Sequence, residues 1–135
     1  MDPTLLDTDI LSEVIKQHEV VKQHAAAYLA LHGQFAFSAL VRFEIERGYK
    51  EKQASAQRAR FAVFCRHSLV LAICDGILDR AGELWALARR HRQPHGDADL
   101  IIAARALDSQ RVLVTGNTAH FAWIPALRLL DWRLP

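Results

Sequence analysis

Four side chains in this sequence could do chemistry together: Asp7, Glu44, Asp99 and Asn117. Three are acids and one is an amide, so all offer hard oxygen donors. Oxygen ligands of this kind suit a hard divalent cation such as Mg2+ or Mn2+. A cation clamped by carboxylates activates water and neutralises a phosphoryl oxygen during in-line attack. The residue types therefore point to metal-dependent phosphoryl chemistry, provided the fold brings them to one place. Asp99 has a companion in the stretch Gly96-Asp97-Ala98-Asp99-Leu100-Ile101-Ile102-Ala103-Ala104-Arg105-Ala106-Leu107. That stretch reads as a helix apolar on almost every side, hence a buried one. An acid near a helix N-terminus accepts orphan N–H groups and suits the dipole. One acid fills that role well; two so close repel unless a cation, a proton or donors intervene. Asp97 is read as the cap or a support, and Asp99 as a ligand.

The elements that must position these residues alternate between strand and helix. A strand over 4–7 ends in Asp7, and helices follow over 10–17 and 20–31, stopped by His32-Gly33. A second strand over 34–37 runs into Ser38, which caps a helix reaching residue 50 and carrying Glu44. A helix over 54–66 leads to a third strand over 68–73. Asp75 is expected to cap the next helix, whose Ile77, Ala81, Leu84, Trp85 and Ala88 form an apolar stripe ending before Pro94. After the central helix come a strand over 112–114, then Thr115-Gly116-Asn117, and a last strand over 127–131 closed by Trp132. This alternation predicts a single α/β domain over residues 1–135, with a parallel sheet covered by helices on both faces. Open sheets of that kind place their sites at the carboxyl ends of the strands. Asp7, Ser38, Glu44 and Asn117 all follow strand ends, and Asp99 opens the helix leading into the fourth strand. One rim can therefore collect them, with Ser38 and Thr115 orienting carboxylates or a water.

Composition narrows the function classes. At 135 residues the chain can bury a core of its own, and its 51% hydrophobic content is that of an ordinary globular domain. Its apolar runs are too short to span a membrane, and Met1-Asp2-Pro3-Thr4 lacks a basic leader pattern. Cys65 and Cys74 match no metal or redox spacing and are expected as reduced, half-buried thiols of a cytoplasmic protein. The net charge of +2 neither demands nor excludes nucleic acid. Arg89, Arg90 and Arg92 form a dense cluster that fits phosphate binding, or equally a solvated helix end. His91 and His95 have the offset of a zinc half-site, but Pro94 breaks the helix that would align them. No histidine is placed for a serine or cysteine triad. Trp85, Trp123 and Trp132 read as core or dimer-contact aromatics.

In order along the chain, the motifs resemble those of the PIN-domain ribonucleases, most of all the VapC-type toxins of bacterial toxin–antitoxin pairs. Leu5-Leu6-Asp7-Thr8-Asp9-Ile10-Leu11 is similar to the family's opening "LDTNIL" motif, with Asp7 at its acidic place. Ser38, followed by Glu44-Ile45-Glu46-Arg47-Gly48, resembles its serine-to-"EL..G" segment. Asp99-Leu100-Ile101-Ile102-Ala103-Ala104 resembles "DxxIAA", and Val114-Thr115-Gly116-Asn117-Thr118-Ala119-His120-Phe121 resembles "vTxNxxxF". Leu130-Asp131-Trp132 resembles the usual last strand. Asp9 stands where asparagine is commoner and either adds a carboxylate or caps the helix after it. Arg42 and Glu46 flank Glu44 where neutral residues are usual.

The resemblance implies a PIN-like three-layer α/β/α fold and an Mg2+-dependent endoribonuclease, with Mn2+ able to substitute. It implies Asp7, Glu44, Asp99 and Asn117 as catalytic residues, the three acids as metal ligands, and a tRNA or rRNA target whose cleavage arrests translation. It also implies a toxin homodimer and a small antitoxin covering the acidic pocket. Because Asn117 leaves the fourth corner uncharged, one tightly held ion is expected rather than two. Two other readings stand beside this one. Asp7-Thr8-Asp9 also looks like the nucleophile loop of haloacid-dehalogenase-type phosphatases, although no lysine follows Lys52 to serve that mechanism. A non-catalytic RNA- or protein-binding module is the other, disfavoured because clustered acids without a cation cost stability.

Overall fold

Short apolar runs separated by helical segments give five strands and seven helices in a computed structural model describing residues 1–135. In chain order these are β1 (Thr4–Leu6), α1 (Thr8–Ile15), α2 (Glu19–His32), β2 (Ala36–Ser38), α3 (Ala39–Glu51) and α4 (Ser55–Arg66). They continue with β3 (Leu69–Leu71), α5 (Asp75–His91), α6 (Asp97–Asp108), β4 (Val112–Val114), α7 (Thr118–Phe121) and β5 (Leu129–Leu130). Every strand pair is parallel: Leu5 sits opposite Leu113, Phe37 opposite Val70, and Leu113 opposite Leu129. Hydrogen bonds join β1, β4 and β5 in one sheet and β2 and β3 in another, and β2 lies beside β1 without pairing to it, so the strands succeed one another in space as β3-β2-β1-β4-β5. The α/β class and the alternation read from the sequence hold.

The core forms where the two central strands meet α1 and α6. Leu5, Leu6, Phe37, Leu113 and Val114 are fully buried, and Leu100, Ile102, Ala103, Ala104 and Ala106 of α6 lie against them. Burial of Leu100 and Ile102 alone stabilises the fold by about 1.5–3 kcal/mol each. Alanines at 103, 104 and 106 let this helix approach closely, which fixes Asp99 in its first turn. Leu11, Val21 and Tyr28 also fill the core. Gly33, at φ 81°, ends α2 in the left-handed conformation that glycine favours.

Some local expectations change. The third strand keeps three residues because the carbonyl of Ala72 accepts from Arg105 Nη1 at 3.1 Å instead of continuing a ladder. Asp75 does not cap α5, whose N-cap is Cys74 without a side-chain bond. Asp97 does not cap α6 either, since Gly96 holds that position and Asp97 is exposed. The half-buried description fits Cys65 but not Cys74, which is exposed. Of the tryptophans, only Trp132 is buried; Trp85 is 42% exposed. No helix is long and apolar enough to cross a membrane.

Candidate active site

Asp7 leaves β1 still attached to the sheet, its N–H donating to the carbonyl of Val114 at 2.9 Å. Its carboxylate caps α1 through the Thr8 N–H at 2.8 Å, and its other oxygen accepts the Thr115 hydroxyl at 2.8 Å. Thr115 is fully buried just after β4, so its hydroxyl is fixed against Asp7. The N–H of Asn117 donates to the same hydroxyl oxygen at 3.1 Å, which fixes the loop after β4. Burial pushes the Asp7 carboxyl up to about 6. The Thr115 and Thr8 hydrogen bonds oppose that rise, and the charges of Asp9 and Asp99 add to it.

Asp9, inside the first turn of α1, bonds two backbone groups. One oxygen accepts from the Ile10 N–H at 2.7 Å and the other from the Gly116 N–H at 2.9 Å. Its charge also bears on both Asp7 and Asp99. Asp99 is raised in the same direction, by burial first, against the pull of His120, whose Nδ1 stands 3.8 Å from its Oδ2. No ion pair includes Asp7 or Asp9. The charge of Asp9 therefore bears on both neighbouring acids, and that of Asp99 on Asp7.

The remaining expected residues divide. Glu44 stands on the flank, its Oε1 accepting the Thr8 hydroxyl at 2.7 Å and its Oε2 lying 3.6 Å from Arg47. Ser38 is fully buried, and its hydroxyl caps α3 by accepting from the Val41 N–H at 3.1 Å. That bond places Ser38 as a helix cap rather than as an orienter of the acids. Asn117 is exposed just before α7, and its side chain is free. Asp97 is not drawn into the acidic group. Arg89, Arg90 and Arg92 end α5, where Arg89 stacks over the Trp85 ring at 5.0 Å.

No three histidine, cysteine, aspartate or glutamate side chains stand in a ready ligand group. The set of Asp7, Glu44 and Asp99 is thus not preassembled, because Glu44 is turned to Thr8 and Arg47. The donors still fit a hard divalent cation. Asp7 accepts only from uncharged groups, which occupy about two of the roughly four lone-pair sites of a carboxylate. The repulsion among Asp7, Asp9 and Asp99 is what a bound cation relieves.

The PIN domain family matches residues 4–125. The chain belongs to the PIN-domain family. This PIN domain is 31% identical over 127 residues to ribonuclease VapC19 of Mycobacterium tuberculosis, across 92% of this chain and 96% of that one. It is 27% identical over 129 residues to ribonuclease VapC2 of Rickettsia felis, across 95% and 96%. Its backbone superposes with a TM-score of 0.85 on a chain of DNA-bound VapBC from Salmonella typhimurium, at 25% identity and covering 98% and 99% of the two chains. Membership in the PIN family sets aside the dehalogenase-type phosphatase as the frame for Asp7 and Asp9.

Three residues of this PIN domain join the site without having been singled out. Thr8 holds Glu44, and its signal was its place between two acids of the opening motif. His120 faces Asp99 from α7, an element too short to show a periodicity. Arg133 lies against Gly116 and donates to its carbonyl, while also bonding Asp131. A Cβ at Gly116 would collide with that guanidinium. The contact joins segments far apart in sequence, so no local pattern announces it.

Proposed function

We propose that this PIN domain is a divalent-metal-dependent endoribonuclease, the toxin of a VapC-type toxin–antitoxin pair. The observation that carries the reading is the buried Asp7 carboxylate, fixed by two neutral donors and set beside Asp9 and Asp99 with no cation of the protein on it. Names of the relatives support the RNA substrate: both are ribonucleases. Asp7 and Asp99, with Asp9 beside them and Glu44 at the flank, would hold Mg2+ or Mn2+. A bound ion of that kind supplies a water nucleophile at neutral pH and neutralises charge on the scissile phosphate.

The chain's own residues supply orientation. Thr115 keeps one Asp7 oxygen in place, and the Asp9–Gly116 bond holds the loop bearing Asn117. Asn117 presents an uncharged amide that can donate to a phosphate oxygen. Glu44, steadied by the Thr8 hydroxyl, stands where it can accept a proton from the attacking water. Arg89, Arg90 and Arg92 are offered as phosphate contacts for the flanking RNA.

The remaining parts of the reading go together. The target is a structured RNA, tRNA or rRNA, whose cleavage arrests translation in the cytoplasm. The partner is a small antitoxin that covers the acidic rim, in keeping with the VapBC complexes among the structural relatives. The toxin acts as a homodimer, and residues 1–135 form one domain.

Purified protein incubated with total bacterial RNA tests the reading, with Mg2+ or Mn2+, with EDTA, and beside Asp7→Asn. Discrete metal-dependent fragments that vanish in the variant are expected. RNA left intact in every metal condition, with wild type and variant alike, overturns it.

A further inference from the structure

We propose that α3 and α4 form a basic arm that grips the phosphate backbone of the RNA beside the acidic site. This rests on the nuclease reading and adds a second, separate contact surface. From Lys50 to Arg60 every residue is exposed except Ala54, and α4 buries only Phe61. The two helices run antiparallel, with Arg42 near the start of α3 and Arg66 at the end of α4 lining one groove. Farther along, the Tyr49 ring packs edge-on against Phe61 at 6.0 Å. The hairpin thus leaves the sheet and returns to it, with its tip in water.

Charge on this arm is segregated. Residues 50–66 carry five basic side chains, Lys50, Lys52, Arg58, Arg60 and Arg66, against one acid, Glu51, for a net +4. The whole chain is only +2, so the remainder is net negative. None of these five, nor Arg42, enters any of the chain's ion pairs. Nor does the helix dipole account for them. Arg58 and Arg60 lie in the first half of α4, away from the negative helix end that would favour them. The contrast is with Arg89 and Arg90, which sit in the last turn of α5 and suit its negative end. Cations of one sign, exposed and without acidic partners, make a field that attracts a polyanion.

Position makes RNA the fitting polyanion. One helix, α3, runs from the Ser38 cap at the strand end, through Glu44, to Lys50 and the tip. At 1.5 Å per residue, Lys50 lies about 9 Å along the axis from Glu44. A strand whose scissile phosphate is at the acids can therefore reach the tip of the arm at Lys50 within a few nucleotides, whereas Arg42, two residues before Glu44, faces the other side of α3. The groove between Arg42 and Arg66 has a volume of about 510 Å3 and is also lined by Ser68, by apolar Ala62 and Val70, and by the Glu46 carboxylate, which offsets one of the two charges. Guanidinium forks on its two sides match phosphate oxygens in bidentate geometry.

The test measures binding apart from cleavage. Asp7→Asn protein, in EDTA, is titrated with unfractionated bacterial tRNA over a series of salt concentrations, with and without Arg58→Glu and Arg60→Glu. Both arginines are exposed, and an unchanged Tm and circular dichroism spectrum confirm folding of the charge-reversed protein. Affinity should fall at least tenfold at 0.15 M salt, and the slope of log K against log salt should shrink by about 1.4–1.8, as for two lost phosphate contacts. An unchanged affinity and slope overturn the arm, including the case in which the same variant instead loses an acidic protein partner. RNA cleavage by wild type with no effect of the arm variant on binding removes the arm and leaves the nuclease. A shifted slope with no cleavage under any metal condition removes the nuclease and leaves the arm.

Discussion

The two ends of the strands differ in charge: the amino end buries neutral groups, with the Thr4 hydroxyl left unpartnered, and the carboxyl end gathers acids. At the amino end each backbone group of Thr4 has a neutral or cationic partner. Its N–H donates to the Tyr28 hydroxyl at 3.0 Å, and its carbonyl accepts from Arg111 Nη1 at 3.0 Å. His32 reaches the Met1 carbonyl at 3.0 Å and stacks on Tyr28 at 4.4 Å. At the carboxyl end burial raises the cost of ionising Asp7 and Asp99, and the charge of Asp9 adds to it at both. One end is arranged for stability, and the other retains repulsion that only a ligand removes. Acids that are buried side by side in this way point to a site, although Asp7 and Asp9 also cap α1 and hold the loop after β4.

The sharpest way to break the comparison is Asp7→Asn. RNA cleavage should fall by roughly 10²–10³-fold or more, the scale set by removing one preorganised charged group from a reacting centre. A gel assay of RNA fragments at saturating Mg2+ reads this directly. Cleavage within a few-fold of wild type would show that the rim is not the reacting end.

The same variant should be more stable than wild type without metal, because Asp7 titrates near 6 in the fold against 3.8 when free. Between those values the folded chain binds more protons than the unfolded chain, so stability falls as pH rises. The loss is complete above about pH 6 and amounts to about 3 kcal/mol at most. Urea unfolding in EDTA from pH 4 to 7 should show this decline in wild type and a flatter profile in Asp7→Asn. A wild-type profile that rises across the same window would mean that Asp7 is stabilised as a charge.

What the sequence shows and hides follows the same division between local and distant causes. Asp7, Glu44, Asp99 and Asn117 are legible because each sits in a short motif at a strand end or helix start. The alternation of strands and helices is legible from apolar periodicity. Strand length is not: 68–73 reads as one strand, yet Arg105 takes the Ala72 carbonyl and ends the pairing at Leu71. Caps are ambiguous where neighbours both qualify, so Asp75 and Asp97 gave way to Cys74 and Gly96. Asp9 could be understood only once Gly116, 107 residues away, was seen to donate to it. Glu44 was placed among the ligands by motif, and its hold by Thr8 depends on how α3 lies against α1.

A divalent ion should relieve the repulsion that separates the two ends. Mg2+ or Mn2+ at about 100 times its dissociation constant should add about 2.7 kcal/mol, provided the unfolded chain does not bind it. Differential scanning fluorimetry in millimolar metal should show a rise in Tm of several degrees, on the order of 4 °C per kcal/mol. Asp99→Asn should abolish most of it. A curve unmoved by metal would leave the rim held by hydrogen bonds alone, without the ion that the nuclease reading needs.

The smallest expected effect lies at the amino end. Tyr28→Phe removes the hydroxyl that accepts the Thr4 N–H and leaves that buried donor unpaired. A loss of about 1–2 kcal/mol is expected from denaturant unfolding. Nothing else in the Tyr28 environment need change, since the ring keeps its stacking on His32 and Phe35. Cleavage per folded molecule, and the metal-induced rise in Tm, should stay as in wild type. The two ends would then separate cleanly: a substitution at one lowers stability alone, and a substitution at the other raises metal-free stability while removing activity. Loss of cleavage in Tyr28→Phe at full folding would instead join them, because β1 would be transmitting the disturbance from Thr4 to Asp7 across only two residues.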